Sequence, residues 1–446
     1  MKRQLLSVAI CSAVALAPVA SFATNGYSPH GFGTKSKGMG GVGVALPLDT
    51  MSAATNPAAM VHVGARMDLG VGLFSPHRSY TANNDGTPGY PTFEPGKFDS
   101  DKELFFVPHM GYNQMLDRHS SLGLTIGGNG GMNTEYPKDV FAAFNPRFPP
   151  NYPDATLIGQ PIPGMPTASS PAGVDLSQLF FGLSYARNLD AVHSIGVMPV
   201  FAIQRFKAYG LEPFMGVSAH PDKVTNNGYD MSYGGGLRLG WLGQINDQIT
   251  LGASYQTKTW MTKFSDYKGL FAEGGDFDIP STFVLGLAYK PLSDLTLALD
   301  VQHIRYSEVA AVGNGHNVPM TDQNFMPRTL LGTDNGIGFG WDDMTVVKLG
   351  ASWDYSSDLT LRAGYAHGNQ PISSEQRLFN ILAPAVVQDH WTLGLTKSIN
   401  QASELSFSLE YMPAEKVCGT NVNTGSQSGC IEMSQYEIEL SWGLKF

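Results

Sequence analysis

Apolar and polar residues alternate with period two over long stretches of this chain. The last segment is the clearest. From Tyr436 the even positions are Tyr436, Ile438, Leu440, Trp442, Leu444 and Phe446, and the odd ones are Glu437, Glu439, Ser441, Gly443 and Lys445. A strict two-residue period places the two sets on opposite faces of one β-strand. Leu405, Phe407, Leu409 and Tyr411 repeat the pattern against Glu404, Ser406, Ser408 and Glu410. Such segments predict strands near 66–80, 103–114, 120–135, 174–187, 191–209, 227–243, 248–263, 279–291, 294–308, 341–355, 358–372, 387–399, 403–413 and 432–446.

Fourteen strands is an even number, and the connections between them sort by length. Tight turns fall near 115–119, 188–191, 245–248, 292–294, 356–358 and 400–402. Long loops fall near 81–102, 136–173, 210–226, 264–278, 309–340, 373–386 and 414–431. Strict alternation of short and long connections matches the periplasmic turns and extracellular loops of an outer-membrane barrel. Tyr112, Tyr185, Trp241, Tyr289, Trp353 and Trp442 stand near the ends of strands running toward the short turns, at the level expected of an aromatic girdle. The fold expected is all-β: a 14-stranded antiparallel transmembrane β-barrel over 66–446, in the outer membrane, with its apolar face outward.

The N-terminus agrees with export. Lys2 and Arg3 precede an apolar run from Leu5 to Val19, and Ser21-Phe22-Ala23 supplies small residues at the cleavage positions. Residues 1–23 read as a signal peptide. Composition fits the same class, with 51 Gly, 18 Tyr, 24 Phe and only 15% charged residues. The formal net charge of −10 argues against nucleic acid as a partner. Cys418 and Cys430 are the only cysteines beyond the leader, and in an oxidising compartment they read as one disulfide closing a loop.

Residues 24–65 lack the two-residue period and hold seven glycines and three prolines before residue 60. A barrel of this size leaves a lumen wider than its own side chains fill. The segment is therefore expected to fold inside as a plug, with Val42, Val44, Leu46, Leu48 and Met51 as docking side chains. Gly38, Gly40 and Gly43 satisfy G-x-G-x-x-G, but no strand precedes them and an exported protein meets no dinucleotide, so the match is fortuitous.

The run Asn25–Met60, NGYSPHGFGTKSKGMGGVGVALPLDTMSAATNPAAM, resembles the N-terminal hatch of the FadL/TodX family, with Asn56, Pro57 and Ala58 at the family's hatch motif. These are outer-membrane transporters of long-chain fatty acids and other hydrophobic compounds. The resemblance implies capture of apolar substrates by extracellular loops and transfer to a site above the hatch. Passive lateral exit then follows through a gap made by an inward kink of the third strand. Here that strand breaks at Gly127, Gly128, Gly130, Gly131 and Asn133, where glycines weaken the ladder and mark a bulge. Leu211, Phe214 and Met215 in one loop, with Leu270 and Phe271 in another, stand as capture residues, and Phe141, Phe144 and Phe148 could join them.

Arg238, Asp300, Lys348, Arg362, Lys397, Glu404, Glu410, Glu437 and Glu439 are expected to face inward. They would anchor the plug or, at one cation, meet a fatty-acid carboxylate. Aromatic hydrocarbon uptake and a general porin are the alternatives. Eleven scattered histidines show no metal-ligand or catalytic spacing, so no enzyme, metal or cofactor is implied. A closed barrel has no edge that demands a partner, which suggests a monomer in outer-membrane lipid.

Overall fold

The computed structural model describes residues 25–87, 90–136, 140–141, 154, 156, 160, 171–321 and 328–446. The signal peptide predicted at 1–23, and Phe144 and Phe148, lie outside these residues.

Fourteen antiparallel strands close a barrel: β1 Arg66–Ala82, β2 Phe105–Met115, β3 Ser120–Tyr136, β4 Ala172–Asn188, β5 His193–Tyr209, β6 Asp230–Gln244, β7 Ile249–Gln256, β8 Thr282–Leu292, β9 Leu295–Ile304, β10 Met344–Ser356, β11 Leu359–Gly368, β12 Asp389–Ser398, β13 Ser403–Gly419 and β14 Gly429–Lys445. Closure comes from β1 pairing with β14 along its whole length, from Arg66↔Lys445 to Ala82↔Gly429. Two short segments, Gly96–Asp99 and Trp260–Met261, pair with β1 and β6 at the loop end.

The alternation settles which face is apolar. On β14, Tyr436, Ile438, Leu440 and Trp442 are 37–56% exposed, whereas Glu437 and Glu439 between them are 1% exposed. Hydrophobes outside and charges inside suit a wall surrounded by hydrocarbon. Tyr112, Tyr185, Tyr289, Trp353 and Trp442 are exposed near the short-turn end.

Several strand limits differ from the predictions. The seventh strand stops at Gln256, because Thr257 turns its own hydroxyl and N–H onto Leu237 and breaks the ladder before Trp260. Strands β13 and β14 run beyond the predicted ends, past a register shift between Met412 and Glu415, to the bonded pair Cys418–Cys430. Apolar alternation fades there because the hairpin has left the hydrocarbon.

Residues 25–65 fill the lumen. They contain two one-turn helices, α1 Thr34–Lys37 and α2 Met60–Val63, and 3-10 turns at Thr50–Ala54 and Pro57–Ala59. Glycines let this backbone touch the wall: a Cβ on Gly364 of β11 would lie 2.0 Å from the Gly40 nitrogen, and Gly40 itself has φ +70°. That contact is what the glycine-rich run around Gly38–Gly43 achieves.

The wall supplies charges to hold the plug. Lys37 reaches Glu437 (2.5 Å) and Glu439 (2.7 Å), and Lys35 reaches Glu404 (2.5 Å). Arg66 bridges Glu404 (2.7 Å) and Asp68, and Asp68 accepts the Thr50 N–H and hydroxyl. Asp300 accepts the Gly43 and Val44 N–H groups (2.8 and 3.0 Å), while Lys348 donates to the His30 carbonyl (2.7 Å). Buried charges persist only when met this way. Lys397, expected inward, points outward at the short-turn rim and bonds Asp358; its parity follows Leu393 and Leu395.

Candidate functional site

The third strand carries the main irregularity of the wall. It pairs with β2 only from Met115↔Ser121 to His109↔Gly127. With β4 it pairs on to Tyr136↔Ala172, through a register shift between Gly128 and Gly130 that leaves Asn129 without a ladder partner. One extra residue inverts the facing of everything after it. Leu122 and Leu124 face outward below the bulge, whereas Met132 and Tyr136 are buried inside above it.

The bulge is also where the wall touches the plug. Gly131 donates its N–H to the Tyr27 carbonyl (3.1 Å), and Gly130 has φ +147°. A Cβ at Gly130 would lie 1.8 Å from that carbonyl oxygen, so only glycine fits. Asn129 turns its amide to Gln178 (3.0 Å).

Strand β2 does not follow β3 inward. Phe105–Pro108 pair with β1 alone, which leaves their other edge facing the unpaired edge of Gly128–Asn133. The opening is closed below by the His109↔Gly127 pair. It is closed above by the Arg78 guanidinium, which donates to the carbonyls of Asn133 and Lys102, and by the Asp101 N–H on the Glu135 carbonyl (2.8 Å).

Inside, this opening backs onto a small cavity lined by Tyr27, Phe74, Arg78, Met132, Trp341 and Leu382, among others. A second small cavity lies against Phe206, Leu270, Phe271, Phe339, Phe379 and Leu382. Leu382 lines both. The upper end of β3 fixes that residue: Thr134 donates to the Leu382 carbonyl and Tyr136 to the Ile381 carbonyl, each at 2.8 Å. Aromatic rings continue between the cavities, with Tyr27 5.1 Å from Tyr306 and 5.7 Å from Trp341, and Phe206 4.7 Å from Phe271. The space above the plug is thus apolar, unlike the charged level below it.

Leu211, Phe214 and Phe271 are buried in this apolar cluster; Met215 and Leu270 are partly buried against it. Phe141 joins through Phe214, centroids 5.1 Å apart. Asn56 is wholly buried at the bottom of the plug: its amide nitrogen donates to the carbonyls of Val44 (2.7 Å) and Trp241 (2.9 Å), and its oxygen caps the Ala58 N–H (3.0 Å). Pro57 starts the turn that Ala58 continues. Tyr27, Arg78, Trp341 and Leu382 escaped the sequence reading. A signal existed: Phe74, Tyr80, Val174, Phe206, Met344 and Met433 put hydrophobes on the inward parity of the upper strand halves, where Glu and Lys occupy it lower down.

The model of the outer membrane protein transport family OMPP1/FadL/TodX matches residues 213–441, just over half of the chain. The chain belongs to that family. It is an outer-membrane protein of a transport family, and solved structures bear out the fold. The Pseudomonas putida toluene transporter TodX superposes with a TM-score of 0.64 at 18% identity, covering 94% of this chain and 99% of that one. The Ralstonia pickettii toluene transporter TbuX gives 0.60 at 17% identity, over 94% and 99%. A Pseudomonas aeruginosa FadL homologue gives 0.65 at 15%, over 94% and 100%. No curated protein matches in sequence.

Proposed function

We propose that this protein carries hydrophobic molecules across the outer leaflet by passive diffusion and releases them sideways through the wall between β2 and β3. The observation that supports this is the pair of apolar cavities that share Leu382 and end at the unpaired edges of Phe105–Pro108 and Gly128–Asn133. A molecule leaving there enters hydrocarbon directly and never meets the ion pairs lower in the plug. Gly127, Gly128, Gly130, Gly131 and Asn133 form the gate; Leu211, Phe214, Met215, Leu270 and Phe271 form the receiving surface.

The second cavity has no charged lining residue, and the first has only Arg78, two of whose nitrogens already serve carbonyls while Nε has no partner. That favours uncharged compounds, in line with the toluene transporters named above, over long-chain carboxylates. In this reading residues 1–23 direct export, residues 24–65 act as the hatch, residues 66–446 form the wall, and the protein works as a monomer without catalysis. A general porin is disfavoured by the ion-paired hatch. Uptake of labelled toluene and labelled oleate by cells with and without the protein tests the proposal; no uptake of either compound above the control refutes it.

A further inference from the structure

Between the hatch and the far wall, away from the gap, lies a cavity bordered by Pro29–Phe32, Gly41, Ala54 and Thr55 on the hatch side. Arg238, Ser254, Gln256, Thr282, Asp300, Gln302 and Lys348 border it on the wall side. Arg238 is 6% exposed. One of its terminal nitrogens, Nη2, donates to the Gln256 side chain, and the Phe32 ring lies 5.4 Å from the guanidinium carbon. The other, Nη1, has no partner, and among the described residues no carboxylate stands within ion-pair distance. Neither ring nitrogen of His30, which lines the same cavity, is hydrogen-bonded.

Lys348 is committed, and Asp300 is committed through one of its two oxygens. Asp300 receives two hatch N–H groups and leaves Oδ1 free, and Lys348 is held by the His30 carbonyl. A buried guanidinium without a counter-charge is costly, and neutral water does not supply one.

We infer that this cavity binds a compact monovalent anion of chloride size against Arg238 Nη1, enclosed between Phe32 of the hatch and the wall. The room beside Arg238 suits a free ion rather than the head of an amphiphile. Because hatch residues build half of the site, the anion binds the docked hatch and not the released one. It therefore stabilises docking by mass action.

Two measurements on the full-length protein test this. Crystals grown in sodium bromide should show an anomalous peak beside Arg238 Nη1, absent in Arg238→Met. The melting temperature of the wild type in detergent should rise with sodium chloride relative to sodium gluconate at equal ionic strength, while Arg238→Met shows no difference between the salts. The wild-type comparison stands even if that variant folds poorly. Absence of the peak overturns the inference. A peak without chloride-dependent melting means binding at crystal concentration only, and overturns it equally.

Discussion

The carbonyl of Tyr27, near the start of the hatch, accepts the N–H of Gly131 at 3.1 Å, two residues past the unpaired Asn129 of the third strand. One hydrogen bond thus joins the plug to the wall strand at the place where that strand leaves its neighbour. Movement of the hatch N-terminus and movement of the strand break are mechanically linked.

Gly130→Ala tests that link. The added methyl would sit 1.8 Å from the Tyr27 oxygen on a backbone with φ +147°, so Tyr27 must withdraw. The variant should assemble a barrel and lose protection of the Gly131 amide in hydrogen exchange by tenfold or more, corresponding to about 1.4 kcal/mol. Unchanged protection would show that the contact is incidental.

Lys37 is 3% exposed and is ion-paired with two buried carboxylates. Lys37→Met leaves Glu437 and Glu439 facing each other, at a cost of about 3–5 kcal/mol to hatch docking. Planar bilayers should record frequent open events for this variant and a quiet trace for the wild type. Adding Glu437→Gln and Glu439→Gln should restore much of the closure.

Asn56→Asp should leak more than Asn56→Ala. The alanine leaves the Val44 carbonyl without its amide donor, roughly 1–3 kcal/mol, and removes a second bond to the Trp241 carbonyl. The aspartate adds a carboxylate pointed at those two oxygens. Single-channel conductance ranks the two; equal leakage would contradict the assigned contacts.

His316 gives the loops a pH dependence. Its Nδ1–H donates to the Gly338 carbonyl (3.0 Å), its Nε2 accepts the Phe379 N–H (3.3 Å), and burial pushes its pKa down to about 3. An opened loop would restore an ordinary value near 6.5, so between those values the open form binds more protons. Loop closure is then fully stable above pH 6.5 and weakens as pH falls toward 3. At pH 4.5 the loss is about 3 kcal/mol. Exchange of the Phe379 amide, corrected for intrinsic rates, should accelerate from pH 7.5 to 4.5 in the wild type and far less in His316→Gln.

The barrel was largely legible in the chain because period-two alternation is enforced twice, by lipid outside and by plug charges inside. Glu437 between Tyr436 and Ile438 states both constraints at once. Alternation could not reveal the level above the hatch, where Phe74 and Phe206 make inward positions as apolar as outward ones. The glycine cluster marked the break in β3, but the parity inversion at Asn129 depends on which strand keeps its register. Tyr27 and Leu382 are distant in sequence, and only the folded chain brings them to one cavity. The loop hydrophobes Leu211, Phe214 and Phe271 were recognisable as a group, yet their burial depends on packing that no local pattern encodes.

The central claim is lateral exit, and Met132→Trp tests it most directly, because that side chain faces the cavity behind the opening and the indole would fill it. Uptake of labelled toluene should fall at least tenfold in cells expressing the variant at wild-type level, with the hatch still silent in bilayers. Uptake at the wild-type rate through a filled opening would show that substrates leave by another path.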